Sequence, residues 1–414
     1  MPPTLSSIHP LERAKAVFRA PLDLPRSVRY ENAEPADIVK DLLEQAVRCG
    51  ASDLHFEPSS TGLRVRFRQD GELRVVADVP KATSTEVVSR IKVMAVMDIA
   101  EKRRPQDGRI RFQCMGQSID VRASTLPTEY GEKVVLRILD QTAVELDLAK
   151  LGIDGERRDA FERVFRLPYG MILITGPTGA GKSTTLYSVL NALRSPKVNI
   201  TTVEDPIEYR LDGIVQTAVK PDIGLTFAHA LRTILRQDPN VIMVGEIRDV
   251  ETAQIAMRAA LTGHLVLSTL HTNDAASAVT RLVDMGIEPF LVSSSVNLIV
   301  AQRLVRRLCP LCSEPDPRAR GLLASMDEPW IEGNWRIPKG CAQCSGTGYK
   351  GRIGIFEVLP LTDELRTRVT ARDDANRLRE LAVSQGLVTL RVDALNKAKA
   401  GITSLEEVIR ETCS

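Results

Sequence analysis

Aromatic residues make up only 4% of the 414-residue chain, too few for a surface on which successive nucleic-acid bases could stack. Neither sign of charge is in excess. The 55 Lys and Arg are matched by 53 Asp and Glu, for a formal net charge of +2, so composition supplies no general pull toward a polyanion. Long hydrophobic runs are missing too. Stretches such as Val241–Val244 and Leu265–Leu267 fall far short of the roughly 20 apolar residues a membrane-spanning helix needs. The N-terminus lacks the basic residues and apolar segment of a secretory signal. A cytoplasmic location is therefore expected, with membrane association only through partners.

What is present divides the chain into segments. Its length exceeds what one core usually fills. Residues 1–36 carry scattered prolines and read as an arm. Ile38, Leu42, Leu43, Ala46 and Val47 have the spacing of an amphipathic helix. Leu63–Arg68 alternates with period two, turns at Asp70-Gly71 and continues through Leu73–Val76, the pattern of a hairpin. A helix is expected around Glu86–Val96, with strands at Arg109–Cys114, Ser118–Ser124 and Val134–Leu139. Residues 37–140 thus form one small α/β domain, and 141–155 a linker. Over 156–304 short apolar runs (Met171–Ile174, Asn199–Val203, Val241–Val244, Leu265–Thr269) alternate with helical stretches (Thr184–Leu193, Phe227–Leu235, Val250–Leu261). That order implies a parallel sheet covered on both faces. A Gly- and Pro-containing insertion at 305–352 and a helical tail at 353–414 complete the chain.

Gly176-Pro177-Thr178-Gly179-Ala180-Gly181-Lys182-Ser183-Thr184 follows the first of those runs and opens a helix. The pattern is that of a phosphate-binding loop, whose glycines let backbone N–H groups converge on phosphate oxygens. Lys182 is expected to reach the β- and γ-phosphates of ATP, and Ser183 to ligate Mg²⁺. Val241–Val244 ends in Gly245-Glu246, which makes Glu246 the candidate for polarising the attacking water. Glu204, Asp205 and Glu208 follow another strand, at the edge where parallel sheets bind ligands. They are expected to complete the Mg²⁺ and water network, against the plainer reading of a solvated loop. His271 follows the strand Leu265–Thr269 and is a candidate γ-phosphate sensor or water partner; His264, before it, is the weaker candidate. Arg104, Arg109, Arg122, Arg232 and Arg236 could stabilise the transferring phosphoryl group, or belong to solvated basic faces.

Four of the seven cysteines form two Cys-x-x-Cys pairs, Cys309/Cys312 and Cys341/Cys344, separated by twenty-eight residues. Four thiolates with no open position suit a structural Zn²⁺. Cys49, Cys114 and Cys413 read as structural or surface thiols.

The motifs together resemble the secretion ATPase family, which includes type II secretion ATPases and type IV pilus assembly ATPases. The resemblance runs over about residues 37–400. It rests on Ala51-Ser52-Asp53-Leu54-His55-Phe56-Glu57-Pro58, Arg104-Pro105-Gln106-Asp107-Gly108-Arg109, the phosphate loop and Val203-Glu204-Asp205-Pro206-Ile207-Glu208-Tyr209. It rests also on Leu235-Arg236-Gln237-Asp238-Pro239, Gly245-Glu246-Ile247-Arg248-Asp249 and Thr262-Gly263-His264 through His271-Thr272-Asn273. It implies a RecA-like P-loop ATPase domain preceded by a small PAS-like α/β domain, assembled as a homo-hexamer at the cytoplasmic face of the inner membrane on secretion or pilus platform proteins. It implies family roles for Lys182, Ser183, Glu246, Arg109, Arg122, Arg232 and Arg236, and makes Gly245 a family feature. The tetracysteine element points to secretion or assembly motors over retraction motors. Type II secretion is the leading expectation and type IV pilus assembly the alternative. A nucleic-acid motor and a nucleotide-binding regulator without turnover are the remaining readings.

Overall fold

The computed structural model describes residues 28–30, 33–139 and 146–412. Most of the expected arm, the start of the expected linker and Cys413 lie outside the described residues. The chain divides into two compact units. One comprises the described residues up to 139 with 308–314 and 337–351; the other comprises 146–307, 315–336 and 352–412.

In the first unit the elements are β1 (Val28–Arg29), α1 (Pro35–Cys49), β2 (Asp53–Pro58), β3 (Gly62–Gln69), β4 (Glu72–Pro80), α2 (Lys81–Met94), β5 (Gln106–Cys114), β6 (Gln117–Thr128) and β7 (Gly131–Leu139). The expected amphipathic helix is α1. It buries Ile38, Val39, Leu42, Leu43, Ala46 and Val47 and stops at Gly50, whose φ of 69° lets its N–H cap Ala46 O and Val47 O. The expected hairpin is β3–β4, joined through Asp70 and Gly71 at φ 49° and 89°, the left-handed pair a tight two-residue turn requires. Helix α2 begins five residues earlier than the apolar spacing suggests, at Lys81 directly after Pro80, and ends at Met94; Val96, read as helical from sequence, has φ 57°.

The strands form one sheet in the order β1-β4-β3-β2-β7-β6-β5. One face packs Leu54, Phe56, Val65, Phe67, Ile110, Val121 and Leu136 against Ile38, Leu42, Leu43, Val87 and Ile91. The other face is charged. Arg109, Arg122, Arg137, Asp53 and Arg68 are successive cross-strand partners. Like charges directly opposite one another are destabilising, and Asp53 offsets this by accepting from Arg137 Nε at 2.8 Å and forming an ion pair with Arg68 Nε at 3.5 Å.

The second unit holds α3 (Gly155–Phe165), β8 (Gly170–Thr175), α4 (Lys182–Leu193), β9 (Ile200–Glu204), β10 (Val215–Ala218), α5 (Phe227–Ile234), β11 (Val241–Val244), α6 (Val250–Leu261), β12 (Leu265–Leu270), α7 (Ala275–Asp284), α8 (Pro289–Ser295) and β13 (Val296–Leu308). Then follow β14 (Glu314–Pro315) and β15 (Arg336–Ile337), which pair as a short ribbon, α9 (Ala319–Ser325) between them, and β16 (Tyr349–Pro360). The chain closes with α10 (Asp363–Thr370), α11 (Ala375–Ser384), α12 (Leu390–Lys399) and α13 (Leu405–Thr412).

The sheet order is β10-β9-β11-β12-β8-β13-β16. Strands β9, β11, β12, β8 and β13 are parallel. Side chains of β8 alternate between two cores: Met171 and Leu173 pack with Ala256, Met257 and Val279, while Ile172 and Ile174 pack with Phe161, Leu186 and Leu190. The double coverage inferred from strand–helix alternation is therefore present, and the architecture is α/β. Three strands of this sheet, β10, β13 and β16, are not apparent from the pattern. The cysteine segment is entered from β13, ending at Leu308, and left along β16, beginning at Tyr349. The helical tail is tied down by the buried Asp393, which pairs with Lys397 at 2.6 Å and Arg157 at 2.8 Å and accepts Phe356 N at 2.8 Å. Among the described residues no helix is long and apolar enough to cross a membrane.

Candidate active site

Parallel strands bring their C-terminal ends to one edge of the sheet. Thr175 on β8 is level with Leu270 on β12, and Val244 on β11 is level with Val203 on β9. The phosphate loop, Glu246, Glu204 and His271 each follow directly. β8 lies between β12 and β13, although β9 comes next in sequence, so the loop starts where the strand order reverses, the position where open α/β sheets bind ligands. Pro177, Thr178 and Gly179 are exposed at the crest of the loop, Gly176 and Ala180 are buried at its base, and Ser183 is exposed in the first turn of α4. Lys182 Nζ donates to Gly176 O at 2.8 Å and Pro177 O at 3.0 Å, curling its side chain along the loop. Burial holds the Lys182 ammonium below its ordinary pKa, and the nearby Glu246 carboxylate opposes that fall.

Glu246 is positioned from β12. Thr269 Oγ1 donates to Gly245 O at 2.7 Å and Ile247 N to Thr269 O at 3.1 Å, fixing the backbone on both sides of the glutamate. A side chain at Gly245 would press on β9, since its Cβ would stand 3.3 Å from Val203 O. Arg248 Nη2 donates to Glu246 Oε1 at 2.7 Å, and the same guanidinium reaches Asp205 Oδ2 at 3.3 Å. His271 Nε2 lies 3.6 Å from Glu246 Oε2. Burial lowers the His271 pKa, Lys182 lowers it further and Glu246 opposes both, with the net effect favouring the neutral ring. Glu246, Lys182, His271, Asp205 and the unforeseen Arg248 thus converge.

Other predicted residues lie elsewhere. Glu204 is buried, with Thr202 Oγ1 at 2.6 Å and Gln216 Nε2 at 3.0 Å on one oxygen and the Tyr187 hydroxyl on the other. Tyr187 belongs to α4, so this carboxylate ties the loop's helix to β9. Burial first and Glu204 second raise the Tyr187 pKa far above its usual range. Glu208 N donates to the same hydroxyl at 3.3 Å. His264 stands at the opposite end of β12, where Gly170 N bonds its carbonyl. Arg232 pairs with Glu251, while Arg236 bonds Arg232 O at 2.9 Å. Arg109 and Arg122 are on the charged face of the first unit's sheet.

The four paired cysteines converge. Their sulfurs all lie within 4.8 Å of one another, with Cys309–Cys341 at 3.8 Å and Cys312–Cys344 and Cys341–Cys344 at 3.7 Å. Four thiolates about 2.3 Å from a tetrahedral ion stand about 3.8 Å apart, so the donor set fits zinc. Burial raises the Cys344 thiol, but the N–H groups of Cys341 and Gly348, each 3.1 Å from its sulfur, together with the Cys312 and Cys341 thiols, prevail and bring it down to about 6.

The family model described as "Type II/IV secretion system protein" matches residues 30–410. The chain belongs to this family. Among the curated proteins that this secretion-family chain resembles is "Type II secretion system ATPase E" of Vibrio cholerae serotype O1, 52% identical over 92% of the chain and 76% of the relative. Another is "Type IV pilus assembly ATPase PilB" of Thermus thermophilus, 47% identical over 94% of the chain and 44% of the relative. Among solved structures, the Legionella pneumophila ATPase DotB aligns with a TM-score of 0.70 at 22% identity, covering 92% of the chain and 98% of DotB. The pilus retraction motor PilT with bound ADP aligns with a TM-score of 0.61 at 25% identity, covering 92% of the chain and 98% of PilT. The chain is thus a relative of secretion and pilus ATPases.

In this secretion-family site, sequence reasoning missed Arg248, Tyr187 and Gln302. Arg248 lies two residues after Glu246 and was legible as a charge beside a carboxylate. Gln302 is a polar residue ending the buried run Leu298-Ile299-Val300-Ala301, and a polar residue in a buried strand is itself a signal.

Proposed function

We propose that the chain is an ATP-hydrolysing motor of type II secretion, working as a homo-hexamer on the cytoplasmic face of the inner membrane. The convergence of Lys182, Glu246 and His271 at the mouth of the phosphate loop carries this reading. Amides of the loop at Gly179, Ala180, Gly181, Lys182, Ser183 and Thr184 grip the polyphosphate. Lys182 turns from Gly176 O and Pro177 O to the β- and γ-oxygens. The Ser183 hydroxyl would hold Mg²⁺, which would supply positive charge to the phosphates. Glu246, oriented by Arg248, accepts a proton from the water that attacks the γ-phosphorus. Neutral His271 can donate or accept beside it. Arg109, Arg122, Arg232 and Arg236 supply guanidinium groups to the developing charge, and the exposure of Arg109, Arg232 and Arg236 fits sites completed on assembly. Cys309, Cys312, Cys341 and Cys344 hold a structural Zn²⁺. Partners are the inner-membrane platform proteins of the secretion machine.

Assembly of a type IV pilus is the second reading, favoured by the 47% identity to the Thermus assembly ATPase; the chemistry is the same and the cargo differs. The test is ATPase activity against protein concentration, for the parent chain and Lys182→Ala, with and without a candidate platform protein. Specific activity should rise with assembly and vanish in the variant. Activity indifferent to Lys182 would defeat the reading, and stimulation by DNA with steep salt dependence would replace it with a nucleic-acid motor.

A further inference from the structure

Gln302 sits on β13, only 2% exposed. Burying a primary amide is unfavourable unless its groups are hydrogen-bonded, and here both bond the phosphate loop and its helix. Gln302 Nε2 donates to Ala180 O at 2.7 Å, and Oε1 accepts from Thr185 Oγ1 at 2.7 Å. The loop also closes on this residue directly. A Cβ at Gly176 would stand 2.3 Å from Gln302 O, and one at Gly181 would stand 2.9 Å from Gln302 Nε2. The first and last glycines of the loop and the first turn of α4 are thus seated on one residue.

The bond to Ala180 O also sets a direction. In a trans peptide the C=O and N–H point opposite ways. Holding the Ala180 carbonyl toward β13 turns the Gly181 N–H away from that strand, into the loop. We infer that Gln302 is a positioning residue for the polyphosphate: it holds the Ala180–Gly181 peptide so that the Gly181 amide faces a nucleotide phosphate. The inference rests on the nucleotide reading above and names a residue on which that grip depends. Gln302 needs no contact with the nucleotide; it acts through the loop.

The test uses the full chain with Mg²⁺ and measures binding of fluorescent ATP and ADP together with KM and kcat. Gln302→Met keeps volume and removes both bonds. It should weaken both nucleotides about tenfold and raise KM by a similar factor, with kcat changing less than threefold. Thr185→Val, which spares the bond to Ala180, should change affinity less than threefold. Gln302→Glu keeps the shape, but its carboxylate cannot donate to Ala180 O. Its affinity relative to the parent should be low at pH 8 and recover toward pH 6, where the protonated acid regains a donor. A purely structural role would not produce that recovery. Parent-like affinity in Gln302→Met, equal losses in Gln302→Met and Thr185→Val, or a pH-indifferent Gln302→Glu would each overturn the inference. If the methionine variant does not fold, the pH profile of Gln302→Glu decides alone. A parent chain that binds no adenine nucleotide defeats the nucleotide reading itself; a binding parent with unaltered variants defeats only the role of Gln302.

Discussion

Arg248 and Glu246 are two residues apart on the loop after β11, and the guanidinium of one lies 2.7 Å from the carboxylate of the other. The same arginine reaches Asp205 at 3.3 Å on the loop after β9, so it bridges the two acidic segments that the sequence presents separately. Arg248→Ala should lower kcat about tenfold and leave nucleotide affinity within threefold, because Glu246 would lose its orientation while the phosphate loop stays intact. Arg248→Lys, without a planar fork, should recover only part of the rate. Steady-state kinetics and nucleotide titration of both variants check this.

Glu246→Gln keeps the size of the side chain and removes its basicity. General-base assistance contributes roughly 10²- to 10⁴-fold, so turnover should fall by about that range while ATP still binds. Radiolabelled ATP recovered unhydrolysed from the purified variant would be the expected sign. Normal turnover would remove Glu246 from the water-positioning role.

His271 gives the site a pH dependence of known sign. Its folded-state pKa lies below the ordinary value, so the unfolded chain binds more protons across that interval and stability rises with pH through it. Activity should be flat with respect to this group where the ring is neutral and decline as pH falls through its lowered titration range, as the imidazolium pairs with Glu246 and withdraws it from water. His271→Asn should flatten the acidic limb when rates are compared with the parent at saturating Mg-ATP.

Tyr187→Phe deletes a donor to the buried Glu204 carboxylate. An unsatisfied buried charge is costly, so stability should drop by about 1–3 kcal/mol. Chemical denaturation of the variant and the parent measures the difference.

Purified without added metal, the chain should contain one Zn²⁺ per protomer. Cys341→Ser or Cys344→Ser should lose the metal and raise hydrogen exchange across 309–351, since metal binding contributes directly to the stability of so small an element. Elemental analysis with exchange mass spectrometry tests this. A metal-free protein with unchanged protection would overturn the zinc assignment.

The local order of the chain was legible. Period-two alternation marked β3 and β4, the spacing of Ile38 through Val47 marked α1, and the glycine-lysine motif after an apolar run marked the loop between β8 and α4. These signals read well because each depends on neighbours within about ten residues. Glu246 and His271 were legible for the same reason, as polar residues ending apolar runs.

The tertiary structure decided which of these groups meet. Glu204 and Glu246 both follow buried strands, and nothing in their spacing separates them. Only the packing of Tyr187 and Gln216 against one, and of Arg248 and His271 against the other, gives one carboxylate a bonded place in the interior and the other an open edge. Gln302 stands 120 residues beyond Lys182 in the chain, and its meaning exists only because β13 lies beside β8. Motif identity comes from local covalent order. Partnership comes from strand adjacency, which sequence spacing does not encode.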